Sequence, residues 1–299
     1  MIENLRPDIA AYTNHTVTME VSSATYSGLK SGLETTLIRG GWTRLAEGDY
    51  ISKQSPWRAG LPLEDYSGKV RIKLGQWGNG NLTVQAGNAD WTDFHNGMYV
   101  HQLLTKDNQS NLWGTKYTII VNPYQLVMFL PVGENPALNQ LGIIVSTLQV
   151  PRFVQERIGL IDAIISIPID TFRNGLVHLY GQNNFYLHLN SKLHGIVSRS
   201  WESQAVYNIS YIGNFGMLFY SVAGQTRYPE GDPIISPPFC AWGLQSTTVA
   251  RIMGFLWDAM IVNGSVVGDS IFTLDNHSWI NYSHLSTLGS LAFVTGGVS

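Results

Sequence analysis

The clearest hydrophobic pattern in the chain lies between Ala24 and Arg39, where Leu29, Leu33 and Leu37 stand four residues apart with Ile38 beside the last. That spacing draws one apolar stripe along a helix, because side chains three to four positions apart share a face. Gly40 and Gly41 follow at once and supply a left-handed helix stop. His15–Val21 forms a polar, strand-like lead. After the helix the habit turns to strand, through Trp42–Ile51 and then Lys69–Leu74, where Val70, Ile72 and Leu74 alternate with Lys69, Arg71 and Lys73. Strict alternation predicts a strand with one buried and one wet face. The Gly/Asn cluster at Gly75–Asn81 is the turn into Leu82–Gln85.

Tyr117–Pro131, YTIIVNPYQLVMFLP, sets two apolar runs on either side of Asn122 and Pro123. Proline fixes its own φ and pushes the preceding residue away from helix, so the segment predicts a tight β-hairpin with Ile119, Val121, Val127 and Phe129 in the core. Asp90–Asn111, with Gly, Asn, His and Asp scattered through it, is expected to be a loop excursion. Further on, Leu141–Val150, Gly195–Ser200, Val206–Gly213 and Met217–Val222 have strand character, while Thr248–Val262 mixes helical and strand signals. Thr226–Trp242 contains Pro229, Pro233, Pro237 and Pro238, which predict an extended, semi-rigid connector without regular central structure. No repeat of 20 to 50 residues is visible. The sum is an α+β, β-rich fold. An N-terminal module of one helix plus an antiparallel sheet and hairpin spans residues 1–135, and a second β-rich module spans 136–299.

Composition changes this picture in one respect. Only 13% of the 299 residues are charged, about half the roughly 25% usual for a soluble domain. Residues 1–200 hold 31 charged side chains, net +1, and residues 201–299 hold 8, net −4. The C-terminal part is therefore expected to be a charge-poor assembly module. Its Pro-rich arm, residues 226–242, would anchor to a neighbouring subunit or to its own module through Ile234, Ile235 and Phe239. A proline-rich segment loses little entropy on docking.

The formal charge of −3 is spread without blocks, which leaves no basic stripe for sequence-specific nucleic-acid binding. Cys240 is the only cysteine, and its neighbours Pro237, Pro238, Phe239 and Trp242 suit a buried apolar residue. The N-terminal MIENLRPDIAAY lacks the apolar run of a secretory signal. The longest apolar stretch, Ile252–Val262, is short and contains Asp258, so no membrane insertion and synthesis in the cytoplasm are expected.

No motif spells a reaction. His188 and His194, with His178 nearby, lack metalloprotease spacing and fit a strand's polar side. Asp275, His277 and His284 lie in a polar, loop-like stretch. The glycines form neither a phosphate loop nor a dinucleotide fingerprint, and no GxSxG elbow occurs. Glu64 with Asp65 and Glu230 with Asp232 are adjacent acids without a spacing rule that would mark a glycosidase. No catalytic residue, cofactor site or metal ligand is assigned, and the chain is not expected to be an enzyme. Trp42, Trp242 and Trp257 sit in apolar surroundings that suit a core. Trp57, Trp77, Trp91 and Trp113 lie in or beside loops, where an indole can contact another subunit, pack locally or stack on a sugar.

The order of segments also carries a resemblance. A helix ending in GGW (Gly40, Gly41, Trp42), then SPW (Ser55, Pro56, Trp57), KVRIKL and YTIIVNPYQLVMFL resembles uncharacterised structural proteins encoded in the morphogenesis regions of tailed bacteriophages. The later YPEGDPIISPPFCAWG and RIMGFLWDAMIV are similar to C-terminal segments of such proteins. The resemblance implies a virion component of the tail, baseplate or neck, with copies of itself and other virion proteins as partners. It transfers no catalytic residue. The alternatives that remain are a neck, connector or capsid-associated protein, and a receptor protein that binds a host glycan through loop aromatics.

Overall fold

The computed structural model describes residues 16–54, 69–78, 80–88, 100–103, 105, 116–129, 142–147, 163–169, 171–173, 176–178, 185–189, 192–197, 209–210, 234–236, 239–244, 250–262, 271–274, 277–281 and 290–295. These residues form antiparallel sheets and one helix. The first part of the chain gives β1 (Val17–Ser22), α1 (Tyr26–Arg39), β2 (Thr43–Ala46), β3 (Asp49–Ile51), β4 (Val70–Trp77), β5 (Asn81–Asn88) and β6 (Val100–Leu103). The middle gives β7 (Lys116–Asn122), β8 (Gln125–Phe129), β9 (Gly142–Thr147), β10 (Ala163–Ile169), β11 (Thr171–Arg173), β12 (Leu176–His178), β13 (Phe185–Leu189) and β14 (Lys192–Val197). The last part gives β15 (Ile209–Ser210), β16 (Ile234–Ser236), β17 (Phe239–Leu244), β18 (Ala250–Phe255), β19 (Ala259–Val262), β20 (Ile271–Leu274), β21 (His277–Asn281) and β22 (Ser290–Val294).

Thr25 opens α1, its hydroxyl accepting a hydrogen bond from the Gly28 amide at 3.1 Å. This satisfies one of the amide donors left over at a helix start. Leu29, Leu33 and Leu37 are fully buried, as their spacing predicts. Gly41, with φ of 90°, takes the left-handed position at the helix end, while Gly40 has an ordinary φ of −73°. Gly40 is pressed instead against Val121, whose side chain fills the space a Cβ would need.

The hairpin is where Tyr117–Pro131 places it. β7 and β8 pair from Thr118 opposite Phe129 to Asn122 opposite Gln125, around Pro123 and Tyr124. They are the second and third strands of a seven-stranded sheet ordered β1-β7-β8-β9-β10-β13-β14. Ile119, Val121, Val127 and Phe129 are all buried, but they do not share a face. Ile119 opposes Met128 and Val121 opposes Leu126, and these four residues meet α1 and the apolar side of a five-stranded sheet, β2-β3-β4-β5-β6. Val127 and Phe129 lie on the opposite face with Ile120 and Ile144, also buried. Each fully buried apolar side chain contributes about 1.5–3 kcal/mol, so a hairpin enclosed on both faces is a main source of stability.

In the five-stranded sheet, Val70 and Ile72 are fully buried. Arg71 points outward and grips Asp49 with two hydrogen bonds, Nε to Oδ1 at 2.8 Å and Nη2 to Oδ2 at 2.5 Å.

Three expectations change. The ladder from β8 to β9 runs across residue 135, so strands from both expected modules share one sheet. Asp90–Asn111 contains β6, a four-residue strand that pairs with β5 from Leu82 opposite Leu103 to Gln85 opposite Val100. Thr226–Trp242 is not simply an extended connector, since it contains β16 and the start of β17, and β17 is the middle strand of its three-stranded sheet, β15-β17-β18. The prolines do not prevent this, because Pro237 and Pro238 fall between the two strands. Met217–Val222 lies outside the described residues. Thr248–Val262 resolves into β18 and β19. Among the described residues no helix is long and apolar enough to cross a membrane.

Candidate functional site

β17 pairs with β18 in the three-stranded sheet and β16 with β19 in a five-stranded sheet ordered β16-β19-β22-β21-β20, both antiparallel. Ile234 opposes Val262 and Ser236 opposes Ile261 in the five-stranded sheet, while Phe239 opposes Phe255 and Gly243 opposes Ala250 in the three-stranded one. Between β18 and β19, Leu256–Trp257–Asp258 stand outside the strand ladders and form a turn. Asp258 sits there with φ of 47°, a left-handed conformation that Asp tolerates better than most residues.

This turn is plugged into the end of the central hairpin. Trp257 is fully buried, and its ring stacks on Tyr124 with centroids 4.5 Å apart. The Trp257 amide donates to Gln125 Oε1 at 3.2 Å, and Gln125 Nε2 donates back to the Trp257 carbonyl at 2.9 Å. The indole Nε1 donates to the Thr147 carbonyl at 2.7 Å, and Ser146 Oγ holds Gln125 Oε1 at 3.1 Å. Asp258 is 3% exposed; its Oδ2 accepts from Thr16 Oγ1 at 2.9 Å and from Asn122 Nδ2 at 3.2 Å. Asn122 Oδ1 in turn accepts from the Tyr124 amide at 2.9 Å, which fixes the hairpin turn. The Asp258 carbonyl accepts from the Val294 amide at 2.9 Å, tying the plug to β22. Burial, and then the charge of Asp258, pushes the Tyr124 hydroxyl above the usual tyrosine range.

A hydroxyl donating to a carboxylate can signal an activated nucleophile. Here Thr16 is 5% exposed and Asp258 3%, so the pair is sealed from a substrate, and its bonds hold segments together. The joint has the chemistry of a fastener: buried polar groups satisfied by partners from distant parts of the chain. Among the described residues no group of three or more His, Cys, Asp or Glu could hold a metal ion.

The residues singled out from sequence scatter differently. Trp57, Trp91 and Trp113 lie outside the described residues. Trp77 ends β4, opposite Asn81. Ile234 and Ile235 belong to β16, which pairs with β19 of the same chain, and Phe239 opens β17 opposite Phe255. His188 lies on β13, opposite Leu193, and His194 on β14. Trp42 and Trp257 are core residues, as expected, and Trp42 donates its indole hydrogen to the Asn122 carbonyl at 2.9 Å. Sequence reasoning missed Asp258, Thr16, Asn122 and Gln125 as partners. Comparison with known protein families, with curated proteins and with solved structures returned no match for this chain.

Proposed function

We propose that the protein is a structural, non-catalytic component of a tailed-phage virion, a ring-forming tail or baseplate protein that assembles with copies of itself and with other virion proteins. Its charge-poor residues 136–299, including the Pro-rich segment, would supply the assembly surface, with a neck, connector or capsid-associated position as the alternative. The observation that carries the reading is the joint at Trp257 and Asp258, which commits a buried carboxylate, an amide and an indole to fastening sheets together. The low charge of the chain and its resemblance to phage morphogenesis proteins support the same reading.

The test is the mass of the purified protein by light scattering, together with immunogold labelling of phage particles. The expected result is a closed oligomer and label at one end of the tail. A monomer that labels no particle overturns the proposal, and binding of that monomer to a glycan array would favour the receptor reading.

A further inference from the structure

We propose that Met19 is an oxidation site of this protein: a peroxide converts its thioether to the sulfoxide, and the Arg39 guanidinium holds the oxygen that is added. In the step with hydrogen peroxide, the sulfur lone pair attacks one peroxide oxygen and the O–O bond breaks. The proton on the transferred oxygen passes to the departing hydroxide, which leaves as water, so the sulfur is oxidised and the peroxide reduced.

Two observations carry the inference. Met19 lies on β1, the edge strand of the seven-stranded sheet, and is partly buried against the core. In the same row of that sheet Ile119 stands between it and Met128, which is fully buried on β8. One row therefore holds a thioether at the rim and another sealed inside, and the rim sulfur is the one open to a small oxidant. The second observation is what surrounds the sulfur. Thr36 Oγ1 lies 3.3 Å from Met19 Sδ, and Nη1 of the exposed Arg39, in the last turn of α1, lies 3.7 Å from it. The Thr36 hydroxyl hydrogen is directed to the Gly32 carbonyl at 2.7 Å, so the guanidinium is the donor that faces the sulfur. A thioether is a weak acceptor, whereas oxidation makes the group polar. An oxygen added on that side turns a long N–H···S contact into a charge-assisted hydrogen bond. A sulfoxide disrupts a core when its oxygen finds no donor; here it meets a cation, and the end of α1 is clasped to β1.

The experiment treats the full-length protein with hydrogen peroxide, folded and in urea, and follows the gain of one oxygen in each methionine peptide by mass spectrometry. In the folded protein the Met19 peptide should oxidise several-fold faster than the Met128 peptide, and in urea the two should oxidise alike. Equal rates in the folded protein overturn the proposal. The clasp is read separately, by urea unfolding of wild type and of Arg39→Ala before and after peroxide. Oxidation should lower the unfolding midpoint of Arg39→Ala further than that of wild type. Met19→Leu in both backgrounds should remove the difference, since oxidation at other methionines acts equally on both. Equal shifts, or a difference that survives Met19→Leu, overturn the role of Arg39.

Discussion

Asn122 and Asp258 are 136 residues apart in sequence and share a buried hydrogen bond, from Nδ2 to Oδ2 at 3.2 Å. Asn122 closes the central hairpin and Asp258 belongs to the turn that plugs it, so one contact joins the earliest-legible element to the least legible one. Replacing Asp258 by Ala leaves the Thr16 hydroxyl and the Asn122 amide without their acceptor and places a Cβ-bearing residue at φ 47° with no polar group to favour it. The expected loss is about 2–4 kcal/mol by urea unfolding. Asp258→Asn, which tolerates the left-handed conformation and keeps one acceptor, should lose less; equal losses would show that the charge alone matters.

Phe129 and Phe293 meet at 5.7 Å between ring centroids, across the face of the central sheet away from the helix. Phe129→Ala should cost about 3–5 kcal/mol. In a double-mutant cycle with Phe293→Ala the two changes should couple by about 0.5–1.5 kcal/mol. Additive losses in thermal or urea unfolding would mean that the rings stabilise the fold independently.

Gly40 has a φ that any residue adopts, so its role is space alone. Gly40→Ala drives a methyl group into Val121 and should destabilise by about 1–3 kcal/mol. Adding Val121→Ala should return part of that loss. If the double variant is no better than the sum of the singles, the close approach of helix and hairpin is not the cause.

Tyr50 is almost completely enclosed, and its hydroxyl is pushed up to about 12 by burial and then by Glu34. The unfolded chain releases this proton near the usual value of about 10, before the folded protein does. Between those values the folded state binds more protons, so stability falls as pH rises through that window and is complete below it. Urea unfolding across the alkaline range should show this fall, and Tyr50→Phe should flatten it.

The helix and the hairpin could be read from sequence because their signals are local: a leucine every fourth residue, and Asn122-Pro123 between two apolar runs. That both faces of the hairpin are buried could not, since a run such as Leu126–Phe129 fits either a one-sided or a two-sided core until its neighbours are known. β6 is four residues long and becomes a strand through its ladder with β5, which no local pattern in Val100–Leu103 announces. In the Pro-rich segment, β16 and the start of β17 become strands through their ladders with β19 and β18, which no local pattern announces. The joint was illegible because Thr16, Asn122 and Asp258 each look like ordinary polar residues until the chain brings them together.

The Thr16–Asp258 bond spans 242 residues, and β1, which it adjoins, pairs with β7 from Val17 opposite Val121 onward. The first described strand thus waits for its sheet partner, and then for its lock, until most of the polypeptide has left the ribosome. A chain cut short before Leu256 would hold α1 and the hairpin but would lack the plug and Phe293, which covers part of the sheet face formed by Ile120, Val127, Phe129 and Ile144. That bared face would be sticky surface, so unfinished chains should collect in aggregates while finished ones stay dispersed. The fold thereby distinguishes a chain that carries its plug from one that lacks it.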